Sequence, residues 1–521
     1  MCGPGDATLD VLSALVEKSL VVAVPGAPTR YRMLETIREY AAQQLDDAGE
    51  RAAVEAAHAA LVVELVETAE PQLRGAGQLE WVTRLRAESD DITAVLRRAV
   101  ATGDAATAHR VAAAAGWFWM ITGLYAEATD RLTEVAALDG PAPPAARALS
   151  TAFHAMAAAG DGDLARASTR LADAERLAAA LPADRHPVLL LMGPVAAGFG
   201  GGDSGPLEQL ATDPSAEPWA RGFALFSCAQ IAENDGDRDR QRIDMRRAHE
   251  IFAALGDRWG LGMKLSSLGK LESVAGDLDA ALRAFDEAIA LAGELGNDDD
   301  LPQFQAERAR LLVRRGDVAA GRAELRRIVA LPGLHPEQIG VLHGYLADAA
   351  RRAGDLEDAR VELARARAQA HPGPGVHQRN ALQAAAESAI ARAAGDRGAA
   401  VRPLVEAVAH AVASKDGPVT AAVAELAAAH ALAEGDTLGA ATLLGTAAAQ
   451  RGANDLGDPE VRATLEGVRA VPGATAALDR VRALSRADGV ALLQDYVRGL
   501  GAGPTSATGS ALGSASATSR A

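Results

Sequence analysis

The stretch "GMKLSSLGKL" (262–271) sets glycines, a lysine and two serines close together, as a phosphate-cradling loop would. That loop needs G-x-x-x-x-G-K-[ST], because backbone N–H groups wrap the phosphates, the lysine reaches them and the hydroxyl holds Mg2+. Gly262 and Gly269 are too far apart for the wrap, and Leu271 replaces the hydroxyl. "GGGDSG" (200–205) satisfies G-x-G-x-x-G by letter, yet no buried strand precedes it and Pro206 follows, so it reads as an inter-helix loop. Ser267 and Lys270 form an S-x-x-K pair without the further motifs that serine hydrolase chemistry requires. No two of the eleven histidines sit four apart on a helix, and none has a cysteine nearby, so no metal site is expected. Asp298, Asp299 and Asp300 fall in a polar loop and read as a solvated turn. No nucleophile is paired with a base. The expectation is a protein that is not an enzyme and holds no cofactor.

The elements that must position these residues are helices. Alanine, leucine and arginine dominate the composition, and they are among the best helix formers. Aromatics make up 3 % of the chain, so the core must rest on small aliphatic contacts. The net charge is −17, which argues against gripping nucleic acid, whose affinity comes from Lys and Arg on phosphates. Residues 1–50 hold four basic against eight acidic side chains, which argues against DNA contact there too. Cys2 and Cys228 lack metal or disulfide spacing, no signal peptide opens the chain, and no segment has eighteen uninterrupted apolar residues. A cytoplasmic protein off the membrane is expected.

A repeat organises the helices. Gly-Asp recurs at Gly162, Gly202, Gly236, Gly276, Gly316, Gly354, Gly395 and Gly435, in steps of 40, 34, 40, 40, 38, 41 and 40, with a Gly-Leu variant at Gly123. Five residues after the glycine stands a small residue (Ala281, Gly321, Ala359), nine after it a bulky apolar one (Phe285, Leu325, Leu363), twelve after it usually alanine (Ala288, Ala366). Those offsets share one helical face. A left-handed glycine would close one helix and the aspartate would cap the next. Only the unit at Gly202 fits badly.

In "LSSLGKLESVAGDLDAALRAFDEAIAL", Leu268-Gly269, Gly276, Ala281, Phe285 and Ala288 fall where the tetratricopeptide repeat has Leu-Gly, Gly, Ala, Phe and Ala. The chain thus resembles that repeat in a long-helix form, and an all-α tetratricopeptide-like superhelix of about nine helical hairpins is expected. At the front, "LDVLSALVEKSLVVAV" (9–24) reads as helix then strand, "PGAPT" as a turn, "RYRML" as the return strand and "ETIREYAAQQLDDAGE" as a helix. Helix, hairpin, helix is the second half of a winged-helix domain. The wording of 15–21 and 30–41, with Glu80-Trp81 and Asp90-Asp91-Ile92 further on, resembles SARP-type and large LuxR-type transcriptional regulators of the actinobacterial signal-transduction (STAND) ATPases. The resemblance implies a partial winged-helix domain at 1–50, a helical connector at 51–104, repeats at 105–450, capping helices at 451–499, and a Gly/Ser/Ala/Thr-rich disordered tail at 500–521. In those regulators a phosphate-binding loop lies upstream. Here the chain starts partway through the winged helix, as a truncated gene, a mis-called start or a lost ATPase would leave it.

In tetratricopeptide arrays, first-helix side chains opposite the packing face line a concave groove. Carried onto this register, the resemblance implies a groove formed by Trp117, Met156, Met192, Phe199, Phe223, Phe226, Gln230, Lys270, Arg310 and Asp348. Its apolar end followed by polar positions would suit an amphipathic peptide of a protein partner or a small apolar ligand; alternatively Trp117 and Phe226 merely pack between helices. The expected function is the sensor and scaffold portion of a signal-transduction ATPase-type transcriptional regulator. The alternative is a stand-alone tetratricopeptide interaction adaptor with neither ATPase nor DNA-binding activity.

Overall fold

The computed structural model describes residues 6–24, 29–160, 162–182, 186–369 and 375–501. Among them are 26 α-helices, one 3-10 helix and a single two-stranded ribbon. From Ala105 to Arg451 the helices pair into nine antiparallel hairpins, forming an all-α superhelix of the tetratricopeptide kind. The fifth hairpin, Arg258–Ala275 with Leu278–Leu295, shows how the sequence makes the unit. Gly276 adopts φ +91°, and the Asp277 side chain accepts from Ala280 N at 2.9 Å. The backbone turn is closed by Asp277 N donating to Glu272 O at 3.0 Å. The other bend glycines, including Gly123, are left-handed as well.

The face set by the repeat is the packed one. Phe285, Leu325, Leu363, Leu404 and Leu444 are buried, as are Ala281, Ala359, Ala288 and Ala366; Leu171 is half-buried. Small residues let the two helices of a unit approach. A Cβ on Gly269 would lie 2.5 Å from the Phe285 ring, and one on Gly321 would lie 2.6 Å from Ala309 O. The unit at Gly202 departs from the rest: its second helix, Gly205–Thr212, has only 8 residues, and Asp203 caps Gly205 N from outside the helix.

The superhelix is tightly wound. The first bend meets the start of the sixth hairpin, where a Cβ on Gly123 would lie 2.6 Å from Asn297 Oδ1. The second bend lies beside the start of the seventh hairpin, with Gly162 against the His335 ring. The fourth bend meets the ninth hairpin: Asn234 Oδ1 accepts from Gly417 N at 3.0 Å. One turn of the coil therefore takes five hairpins.

In front of the array lie helix Asp6–Glu17, strands Val22–Val24 and Arg30–Arg32 paired antiparallel, and helix Glu35–Asp47. This is the expected order of helix, hairpin and helix. It buries little: Tyr31, Leu34 and Tyr40 are exposed, Tyr40 to 63 %. The Arg30–Glu88 ion pair at 2.7 Å ties it to the helices that follow, Arg51–Ala69, Gln78–Ala87 and Ser89–Thr102. Behind the array, Pro459–Arg469, Ala474–Arg482 and Arg486–Gly501 pack on the last hairpins. The tail expected at 500–521 begins inside that final helix, and 502–521 lie outside the described residues. No helix among the described residues is long and apolar enough to cross a membrane.

Candidate functional site

The first helices of the hairpins face the superhelix axis, and the two halves of that inner face differ. In the N-terminal half the aromatic side chains meet one another. Trp117 packs edge-on to Trp219 at 4.9 Å and to Trp259 at 5.1 Å between ring centroids. Phe223 stacks on Trp259 at 5.9 Å and touches Phe226 at 6.2 Å. Trp117, Phe226 and Met192 are buried, while Met156 and Phe223 are half-buried. The Phe199 side chain lies outside the described residues. The reason for this burial is the winding: with five hairpins per turn, the first, fourth and fifth come close enough for their rings to fill the axis. What arrives from solution therefore finds little of Trp117 or Phe226 to touch.

The preceding helices lock this cluster. Trp219 Nε1 donates to Asp257 Oδ2 at 2.9 Å, and Gln78 Nε2 donates to Asp257 Oδ1 at 2.8 Å. Gln78 Oε1 in turn accepts from Arg258 N at 2.8 Å. Asp257 is fully buried, and burial pushes its carboxyl up despite those hydrogen bonds. Arg74 lies over the Trp219 ring, its guanidinium carbon 5.9 Å from the centroid.

The C-terminal half of the inner face is charged. Ser267 Oγ donates to Gln230 Oε1 at 3.2 Å. Arg310 Nη2 donates to Glu307 Oε2 at 2.7 Å, and the Tyr345 hydroxyl donates to Glu307 Oε1 at 2.6 Å. Burial pushes the Glu307 carboxyl up, but Arg310 and Lys270 outweigh it and hold the group at about 2. Asp348 accepts from Arg351 Nη2 and Arg352 Nε, both at 2.7 Å; against the opposing effect of burial, those guanidiniums hold it well below the usual carboxylate range. Asp348 thus pairs with its own two arginines, while Lys270 and Arg310 form a network around Glu307.

A cavity of about 710 Å3 opens beside this network. Tyr125 walls it from the first bend; Asp300, Gln303 and Glu307 come from helix Asp300–Arg315; Val341 and Tyr345 come from Pro336–Arg352. Asp300 accepts from Asn297 Nδ2 at 2.6 Å, yet burial pushes its carboxyl up to about 6. Burial, with Asp300 and Asp299 adding to it, raises the Tyr125 phenol too. The lining mixes carboxylates, phenols and amides with Leu334, Val341 and Leu342, and fits an amphipathic group better than a purely apolar one.

Sequence reasoning missed Gln303, Glu307, Val341 and Tyr345. A signal was available: they stand thirteen and nine residues before the bend glycines Gly316 and Gly354, on the same helical face as Arg310 and Asp348. The aspartates at 298–300, read as a solvated turn, instead place Asp300 half-buried at the cavity wall. Their approach to the first bend, 175 residues earlier, has no local signature. Of the histidines, His109 and His154 are buried, with His109 Nδ1 2.8 Å from Ser150 Oγ. His371 lies outside the described residues. Among the described residues no His, Cys, Asp and Glu group is arranged to hold a metal.

No protein-family model matches the chain, and no curated protein matches it. Solved structures similar to it include yeast Tom70, at 13 % identity over 81 % of this chain and 96 % of that one, with a TM-score of 0.35. The Cut9 and Hcn1 hetero-tetramer of the APC/C is similar at 13 % identity, over 77 % and 95 %, with a TM-score of 0.27. BtubC from P. vanneervenii is similar at 15 % identity, over 49 % and 94 %, with a TM-score of 0.28. Likenesses this distant carry no argument about partners or function.

Proposed function

We propose that the chain is an interaction scaffold that receives a peptide or small amphipathic ligand in the cavity between Tyr125, Asp300 and Tyr345, as the sensor portion of a signal-transduction ATPase-type transcriptional regulator. The cavity carries the reading. It is open beside the packed aromatic rings, and its walls come from hairpins one, two, six and seven, so an occupant would bridge successive turns of the coil. Binding there would favour one pitch of the superhelix over another, which is how a sensor passes occupancy on.

The regulator part rests on the wording of 15–41 and 80–98. In this reading residues 1–50 are a partial winged helix, 51–104 a connector, 105–450 the sensor array and 451–499 its cap. The exposed Tyr31, Leu34 and Tyr40 support it, since an adjoining module would cover them. The ATPase module would then be upstream in the same gene or on another chain.

The test is capture from extract of the native cell by the full chain. Val341, 46 % exposed at the cavity rim, changed to Glu, and Gln303 changed to Arg, should lose the partner or ligand. Arg402→Glu, on an outward-facing helix surface, should retain it. Equal retention by all variants would exclude the cavity. Absence of a G-x-x-x-x-G-K-[ST] module, both among captured proteins and in the DNA upstream of Met1, would leave the stand-alone adaptor.

A further inference from the structure

At the other end of the same first helices, away from the cavity, stands a row of arginines. Arg314 closes the first helix of the sixth hairpin, Arg351 and Arg352 that of the seventh, and Arg392 lies in the last turn of the eighth. They converge on the segment after the ninth hairpin and on the first turn of the capping helix Pro459–Arg469. Arg314 Nη1 is 2.8 Å from Asp455 Oδ2, Arg352 Nη2 2.7 Å from Asp458 Oδ2, and Arg392 Nη2 2.7 Å from Glu460 Oε2, with Arg351 also on Glu460. Sequence separations of 141, 106 and 68 residues make this a long-range closure. A backbone bond, Leu456 N to Val274 O at 2.9 Å, lays the segment across the fifth hairpin, where a Cβ on Gly457 would lie 2.2 Å from Ser273 O.

Charge holds this strap. Its apolar residue, Leu456, is 39 % exposed, so burial of apolar surface contributes little. Within the row, Asp348 alone offsets the four guanidiniums; Asp455, Asp458 and Glu460 neutralise the other three. Lifted off, the strap would leave a net charge of +3 on the ends of three adjacent helices, with the guanidiniums held at side-chain exposures of 7 % to 20 %. Such forks match carboxylates in planar geometry.

We propose that this arginine row is a binding site for an acidic peptide segment, which the chain fills with its own residues 455–460 until a partner's carboxylates displace them. The site takes a stretch with acids spaced three and two residues apart, as Asp455, Asp458 and Glu460 are. It does not depend on the cavity being receptive.

The probe is a fluorescently labelled synthetic peptide of residues 453–462, followed by anisotropy against the full chain. The full-length variant D455N/D458N/E460Q should bind it roughly tenfold tighter than the wild type does, because its own strap competes less. Binding should weaken steeply with added salt and disappear when R351E/R352E is introduced into the same variant. Equal binding to wild type and neutralised chain, no binding to either, or survival in R351E/R352E would each overturn the proposal. So would tighter capture of a single-stranded oligonucleotide than of the peptide. Far-UV circular dichroism checks folding; should the triple variant be unfolded, D458N alone carries the comparison, since Asn keeps the cap to Glu460 N.

Discussion

At the scale of single residues, the structure separates groups that hold the fold from groups held at a cost. Phe285 and Leu363 belong to the first kind, and truncating either to Ala should cost about 2–5 kcal/mol in a urea titration. Asp300 belongs to the second. Its carboxyl, raised to about 6 from 3.8, lowers stability as pH rises across that window, so Asp300→Asn should stabilise the empty chain at pH 7 by about 1–3 kcal/mol. A loss of stability would mean that the charge has a partner in the fold. Burial holds the His109 and His154 imidazoles at about 4 rather than 6.5. The unfolded chain takes up those protons first, so stability should fall between pH 6.5 and 4, by up to ~3 kcal/mol per imidazole, and level off below. His154→Gln should flatten part of that slope in urea titrations at pH 7 and 5, and an unchanged slope would show that other groups control it.

At the scale of elements, the repeat was legible because its physics is local. A glycine that must turn left-handed, an aspartate three residues before an orphan N–H, and a bulky residue nine after the bend are all set within one hairpin. The short second helix after Gly202 announced itself the same way, as a unit out of register. The cavity and the aromatic packing were not legible, because they depend on how far each hairpin rotates on the last. Small rotations accumulate over five units before Trp117 meets Trp259, and no residue near Trp117 records the sum. The bends allow the two kinds of information to be separated by experiment. Gly395 has φ +79° and open space around it, so Gly395→Ala should cost only the left-handed strain, about 1 kcal/mol. Gly236 has φ +75°, but a Cβ there meets Gln450 O at 2.8 Å and Gly452 N at 3.0 Å, so Gly236→Ala should cost at least twice as much. Equal costs by thermal unfolding would deny the contact between turns.

At the scale of the whole molecule, the contacts of the first, second and fourth units with the fifth one after each change what kind of object the array is. A repeat array that touches only its neighbours unfolds piecemeal. Here Gly123 lies against Asn297 and Asp299, so Gly123→Val should speed amide hydrogen exchange in Asp300–Arg315 as well as around its own bend. Faster exchange confined to the first two hairpins would mean that the turns of the coil do not support one another. The same geometry bears on how such a gene can change. Tandem arrays ordinarily grow and shrink by whole copies, since each copy needs only a like neighbour on either side. Deleting or duplicating one internal hairpin here would set every later unit opposite a stranger across the turn, with Gly123 facing something other than Asn297 and Asn234 something other than Gly417. The number of copies between those pairs is therefore fixed as firmly as any buried side chain.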